Sequence, residues 1–192
     1  MHLEDFETDA GKRVWLSRDE LELFLDHVDG NERQIALGLA ARSGLRTDEI
    51  VEVTPADIVT GPADFMARVW EGKGDKYRET PLPGELAIRI DATTEDAPDD
   101  DPLVDRPTRT LRRWTKAIAK ECEDVTGDAG WQYLSPHDLR RSWAQALLDA
   151  GVEPALVMHW GGWENWKTFR EHYLGVYSPE KQLAEREKVE WL

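Results

Sequence analysis

The chain has 192 residues, 40% of them hydrophobic, with 39 acidic side chains against 24 basic ones and a formal net charge of −15. That length supports one domain that folds without disulfides or metal, and the single cysteine, Cys122, excludes an internal bridge and fits a reducing compartment. No apolar run reaches the ~20 residues of a membrane span, and the acidic start Met1-His2-Leu3-Glu4-Asp5 lacks the order of a secretory signal; a cytoplasmic protein with no membrane partner is expected.

Residues 1–16 read as an acidic N-terminal arm, poorly ordered over the first dozen. Ser17-Arg18-Asp19-Glu20 is a capping box, opening an amphipathic helix with Leu21, Phe24, Leu25 and Val28 on one side. Asp29-Gly30-Asn31 ends it, and a second helix is predicted over 32–42, stopped by Ser43-Gly44. Thr47 caps a short helix through Val51, and Thr54-Pro55 reads as a helix start or a tight turn. Phe65–Trp70 and Tyr77–Leu82 alternate like strands around a turn-rich hairpin tip, Glu71-Gly72-Lys73-Gly74-Asp75-Lys76. A short helix is predicted at 85–90, and the acidic segment 91–101 is read as loop. Thr108–Cys122 predicts an amphipathic helix with Leu111, Trp114, Thr115 and Ile118 inward. Helices follow from Ser135-Pro136 to Gly151, from Glu153-Pro154 to Gly161-Gly162, over 166–174, and from Ser178-Pro179 through Trp191. The predicted class is mostly α with a small antiparallel β-sheet, an α+β arrangement.

The charge is unevenly spread. Residues 91–101 hold six acids and no base, whereas 105–120 hold Arg106, Arg109, Arg112, Arg113, Lys116 and Lys120 against one acid. An acidic whole argues against a nucleic-acid partner, because phosphate wants positive surface. Two readings stay open: a surface adapted to concentrated salt, where repulsion is screened within a few ångströms, or an ordinary acidic protein with an acidic partner.

Several residues could carry chemistry. His137 and Arg140 fall in the opening turns of the Ser135-Pro136 helix, where free N–H groups and partial positive charge favour an anion. As an isolated His-x-x-Arg, the pair reads equally as a solvated helix face. Arg46, at a break between helices, reads alone as a surface arginine pairing with Glu49 or Glu52. Lys73, between two glycines, reads alone as a turn lysine, and Tyr173 as a core aromatic.

Taken together and in order, these segments resemble the tyrosine recombinases, the phage-type integrases, from about Ser17 to Ser178. Gly44-Leu45-Arg46-Thr47-Asp48-Glu49-Ile50 resembles the family's first arginine box. Gly72-Lys73-Gly74-Asp75-Lys76-Tyr77-Arg78, followed by Pro81-Leu82-Pro83, is similar to its β-hairpin lysine segment. Ser135-Pro136-His137-Asp138-Leu139-Arg140-Arg141 resembles the second box, Gly162-Trp163 stands where many members carry Gly-His, and Tyr173 follows ten residues later.

The resemblance implies a catalytic domain over 17–178 that cuts and rejoins double-stranded DNA through a 3′-phosphotyrosyl intermediate. It assigns catalytic roles to Arg46, Lys73, His137, Arg140, Trp163 and the nucleophile Tyr173, with no metal and no cofactor. Arg109, Arg112, Arg113, Lys116, Lys76 and Arg141 become candidate DNA contacts. A homo-oligomer, a tetramer on DNA, is implied, with helix 179–192 docking on a neighbouring subunit. Tryptophan at 163 can donate a hydrogen bond but cannot shuttle a proton. The family usually carries a DNA-clamping domain ahead of the first box, and only about sixteen residues precede the first predicted helix here. Competing readings are a type IB topoisomerase, a catalytically silent DNA-binding regulator, and a metal hydrolase built on His137, His159 and His172.

Overall fold

The computed structural model describes residues 1–5, 12–61, 64–72, 76–173 and 179–189. The chain opens with two short strands, β1 (His2–Asp5) and β2 (Lys12–Trp15), paired antiparallel with His2 opposite Trp15. Strand therefore replaces the expected poor order at residues 2–5 and at 12, while residues 6–11 lie outside the described residues. Val14, Trp15 and Leu16 are buried, and two backbone N–H groups here donate to distant side chains: Val14 N to Asp138 Oδ1 at 3.1 Å and Leu16 N to Ser142 Oγ at 2.8 Å.

Helix α1 (Arg18–Asp26) begins at the expected capping box, with Ser17 N donating to Glu20 Oε2 at 2.7 Å. Helix α2 (Asn31–Arg42) buries Ile35, Ala36, Leu37, Leu39, Ala40 and Ala41, and so is apolar on all sides. A helix of that kind must be wrapped by others, and α2 runs through the middle of the main core. A short α3 (Thr47–Ile50) and a 3₁₀ turn (Pro55–Asp57) lead into an antiparallel sheet of β3 (Ile58–Gly61), β4 (Asp64–Gly72) and β5 (Lys76–Pro81), in that order. The hairpin 65–82 is as expected; β3 is additional. Helix α4 (Gly84–Thr94) runs four residues into the acidic segment read as loop.

Helix α5 (Thr108–Thr126) buries Leu111, Trp114, Thr115 and Ile118, as its periodicity requires, and ends on left-handed Gly127. A 3₁₀ turn (Ala129–Tyr133) carries the buried Trp131 to α6 (Pro136–Asp149). The last helices are α7 (Pro154–Gly161), α8 (Trp166–Tyr173) and α9 (Pro179–Arg186). A second, smaller core joins the late elements: Trp143 and Ala144 of α6, Val157 of α7, and Phe169 and Tyr173 of α8. Among the described residues no helix is long and apolar enough to cross a membrane.

Candidate active site

The site lies where the second core meets α3 and the sheet. Its centre is Glu49, which is 3% exposed. Two arginines donate four hydrogen bonds to that carboxylate: Arg46 through its backbone N (2.6 Å) and Nη1 (2.5 Å), and Arg78 through Nη1 (2.8 Å) and Nη2 (2.7 Å). Arg140 Nη1 lies 3.9 Å away. Burial alone would raise the Glu49 carboxyl; the hydrogen bonds and charge of Arg78, helped by Arg140 and Arg46, overcome it and hold the group at about 2. Three guanidinium groups around one carboxylate leave the pocket cationic within an acidic protein.

Arg140 is 1% exposed, turned inward from the second turn of α6. Its Nη1 donates to the Gly44 carbonyl and its Nη2 to the Gly161 carbonyl. Gly44 has φ +68, and a Cβ there would stand 2.2 Å from Trp143, so glycine is required on both counts. The Gly161 carbonyl belongs to the C-terminal end of α7, the negative end of the helix dipole. Burial and the charge of Arg46 lower the Arg140 guanidinium from its usual value, but an arginine so placed stays cationic at neutral pH.

Trp163, just beyond left-handed Gly162, stacks against Arg140, whose guanidinium carbon sits 4.4 Å from the indole centroid. The indole centroid lies 4.7 Å from the Tyr173 ring and 5.2 Å from Phe169. Tyr173 is 4% exposed. Burial raises its phenol pKa, opposed by the charges of Arg140, Arg141 and Arg46 and by a hydrogen bond with Trp163. Arg46, Arg140, Trp163 and Tyr173, expected from separate stretches of sequence, therefore converge on one pocket.

His137 is exposed on the first turn of α6. The neighbouring Asp138 is buried and fills the helix N-terminus, accepting from Ser135 N at 2.9 Å and Ser135 Oγ at 2.6 Å. Lys73 lies outside the described residues, as does the side chain of Lys76. Arg141 is engaged internally, paired with Asp138 and set 5.4 Å over the Trp15 ring. Arg109, Arg112, Arg113 and Lys116 fall within one narrow arc of α5, opposite its buried stripe, and all are exposed. Lys116 Nζ donates to the Gln132 carbonyl at 2.5 Å, and burial lowers its pKa.

Sequence alone does not mark Glu49 and Arg78 as parts of the site: Glu49 reads as a surface partner of Arg46, and Arg78 as a member of the hairpin segment. The signal was present: Arg78 alternates with Tyr77 and Glu79 on β5, so it faces the interior while they face out. Among the described residues, no group of three or more His, Cys, Asp or Glu is placed to hold a metal ion.

Comparison with known proteins bears on the fold and the family. The tyrosine recombinase XerA of Thermococcus kodakarensis is 27% identical over 158 residues, 80% of this chain and 55% of that protein. The tyrosine recombinase XerD of Caulobacter vibrioides is 28% identical over 159 residues, 74% of this chain and 51% of that protein. The chain thus spans about half the length of these curated relatives. Among solved structures, XerA recombinase superposes with a TM-score of 0.74 at 19% identity, covering 91% of this chain and 64% of that one. The lambda integrase catalytic core superposes with a TM-score of 0.59 at 17% identity, covering 80% of this chain and 95% of that one. These likenesses establish the fold. A family model matches residues 14–179, from the buried strand β2 to the start of α9, and the chain belongs to the phage integrase family.

Proposed function

We propose that this chain is the catalytic part of a site-specific DNA recombinase that cuts and rejoins double-stranded DNA through a 3′-phosphotyrosyl bond at Tyr173. The observation that carries the proposal is the convergence of two arginines, a hydrogen-bond donor and a tyrosine from four separate segments. A phosphodiester resists attack because negative charge grows on its non-bridging oxygens. Arg46 and Arg140 are suited to take that charge, each by paired N–H donors, with the Trp163 N–H as a further donor. At neutral pH Tyr173 is a phenol, so attack needs a base; His137, exposed on the first turn of α6, takes that role. Lys73 protonates the departing 5′-oxygen. Tyr173 sits beneath Trp163, so α8 shifts to release the phenol as DNA enters. The relatives' names and the solved complexes of XerH and of Tn1549 integrase with DNA support the same reading.

The exposed arc of Arg109, Arg112, Arg113 and Lys116 supplies phosphate contacts beside the pocket. Helix α9, with Leu183 53% exposed, docks on a neighbouring protomer and builds a tetramer on DNA. The test uses a duplex recovered from a randomised library by covalent trapping on the chain, placed twice in one plasmid. Exchange of the flanking segments is expected, and truncation before Pro179 should weaken pairing of two sites more than binding of one. Relaxation of supercoils without exchange would make the protein a type IB topoisomerase, and binding without any covalent adduct would make it a regulator.

A further inference from the structure

Asp138 is a buried carboxylate with more partners than a helix start requires. It is 3% exposed and lies in the first turn of α6. One oxygen, Oδ2, serves the helix start, accepting from Ser135 N at 2.9 Å and from Ser135 Oγ at 2.6 Å. The other, Oδ1, accepts from Val14 N of β2 at 3.1 Å and from Arg141 Nη1. Closing a first turn needs only the first oxygen. At α1 the corresponding carboxylate, Glu20, accepts from Ser17 N at the protein surface. Burying a carboxylate is costly unless it is fully hydrogen-bonded, so the depth of Asp138 has a cause beyond helix initiation.

The cause lies in what it joins. Asp138 Oδ1 ties α6 to a strand 124 residues earlier. A second clip lies one turn on: Leu16 N donates to Ser142 Oγ at 2.8 Å, and Ser142 Oγ donates to the Asp138 carbonyl at 2.8 Å. Between the clipped residues of β2 sits the buried Trp15, with the Arg141 guanidinium 5.4 Å over its ring. Two clips one turn apart fix both the rotation of α6 and its slide along its axis. Arg140 stands between them on the same helix. Its guanidinium is held at the far end by the carbonyls of Gly44 and Gly161 and stacks on Trp163. Those contacts aim it correctly only while its Cα keeps one height, and a slip of α6 by one residue would move that Cα by about 1.5 Å.

We propose that Asp138 is a positioning residue for phosphate binding: with Ser142 it bolts α6 to β2, so that Arg140 meets the non-bridging oxygens of the scissile phosphate in register with Arg46. The strand ahead of α1 thereby becomes part of the active-site scaffold, and Arg141 is its brace. The inference rests on the proposed place of Arg140 on that phosphate. A displacement of about 1 Å is enough to cost on the order of 10²-fold in rate.

The test compares the unaltered chain, Asp138→Asn, Ser142→Ala and Arg140→Ala on two nicked duplexes of the trapped sequence. One carries the ordinary phosphodiester; in the other a methyl group replaces one non-bridging oxygen of the scissile phosphate, leaving a neutral methylphosphonate. Less negative charge builds on that centre, so it depends less on a well-placed arginine. Asparagine keeps the shape of Asp138 but turns an amide NH₂ towards one set of donors and loses the charge that holds Arg141. Asp138→Asn should form adduct about 10–100-fold more slowly than the unaltered chain on the phosphodiester, and come within about threefold of it on the methylphosphonate. Ser142→Ala, which loses only the second clip, should lose about three- to tenfold with the same recovery; it decides in place of Asp138→Asn if that variant does not fold. Because one protein preparation meets both substrates, partial unfolding cannot imitate the recovery. Equal loss on both duplexes, or no loss on either, with Arg140→Ala still restored by the methylphosphonate, overturns the role of Asp138 alone. Failure of the methylphosphonate to restore Arg140→Ala overturns the place of that arginine on the phosphate, and the inference with it.

Discussion

Replacing Glu49 by glutamine keeps the shape of the side chain and removes the one negative charge among Arg46, Arg78 and Arg140. The carboxyl, ordinarily at 4.5, stands at about 2 in the folded protein. The drop from 4.5 to about 2 corresponds to about 3 kcal/mol. The folded-state value is depressed, so this stabilisation is fully present above 4.5 and is lost as pH falls towards 2; roughly half remains at pH 3. Glu49→Gln should therefore cost about 3–5 kcal/mol at pH 7, the usual effect of removing one partner from a buried charge cluster. The gap to the unaltered chain should narrow by about 2 kcal/mol between pH 7 and pH 3. Urea unfolding of both proteins at each pH, followed by tryptophan fluorescence, measures it. A gap that stays constant with pH would refute the argument, since the carboxylate would then be folding without proton linkage.

Further consequences follow from other contacts. Gly44→Ala should lower stability by about 2–4 kcal/mol in thermal unfolding and abolish cleavage, since the new Cβ meets Trp143 and displaces the carbonyl that Arg140 grips. Arg141→Ala should cost about 1–3 kcal/mol, between the limits for exposed and buried ion pairs, through its contacts with Asp138 and Trp15. Arg113→Ala should leave stability unchanged while flattening the slope of log affinity for DNA against log salt by about 0.9; an unchanged slope removes it from the interface. The net charge of −15 also predicts that thermal stability and adduct formation rise from 0.1 M to molar potassium chloride, as the screening length falls from about 10 to about 3 Å. A steady decline of both would refute salt adaptation.

The elements readable from sequence were those with local causes. The capping box at Ser17, the Ser135-Pro136 helix start and the stripe of Leu111, Trp114 and Ile118 each act within a few residues; the end of α5 at Thr126, four residues past the expected Cys122, does not belong with them. The first strands were not readable, because what fixes them is distant: Val14 and Leu16 are held by Asp138 and Ser142 of α6. The same limit explains Glu49 and Arg78. Arg46 and Glu49 are three apart and look like a surface pair, yet the structure buries the carboxylate and adds a partner from β5. The order of Arg46, Arg140, Trp163 and Tyr173 was legible because it resembles a family's boxes; their convergence became visible only when α3, α6, α7 and α8 were placed together.

The central claim is that Tyr173 becomes covalently joined to DNA, and mapping the adduct tests it most directly. The chain is incubated with a nicked duplex of the trapped sequence, so that the cleaved end diffuses away and the joined protein accumulates, and the linked peptide is identified by mass spectrometry. A phosphotyrosyl bond to the DNA 3′ end at Tyr173 is expected, with none in Tyr173→Phe, while that variant still binds the duplex. An adduct on Tyr177, or one that persists in Tyr173→Phe, would contradict the assignment.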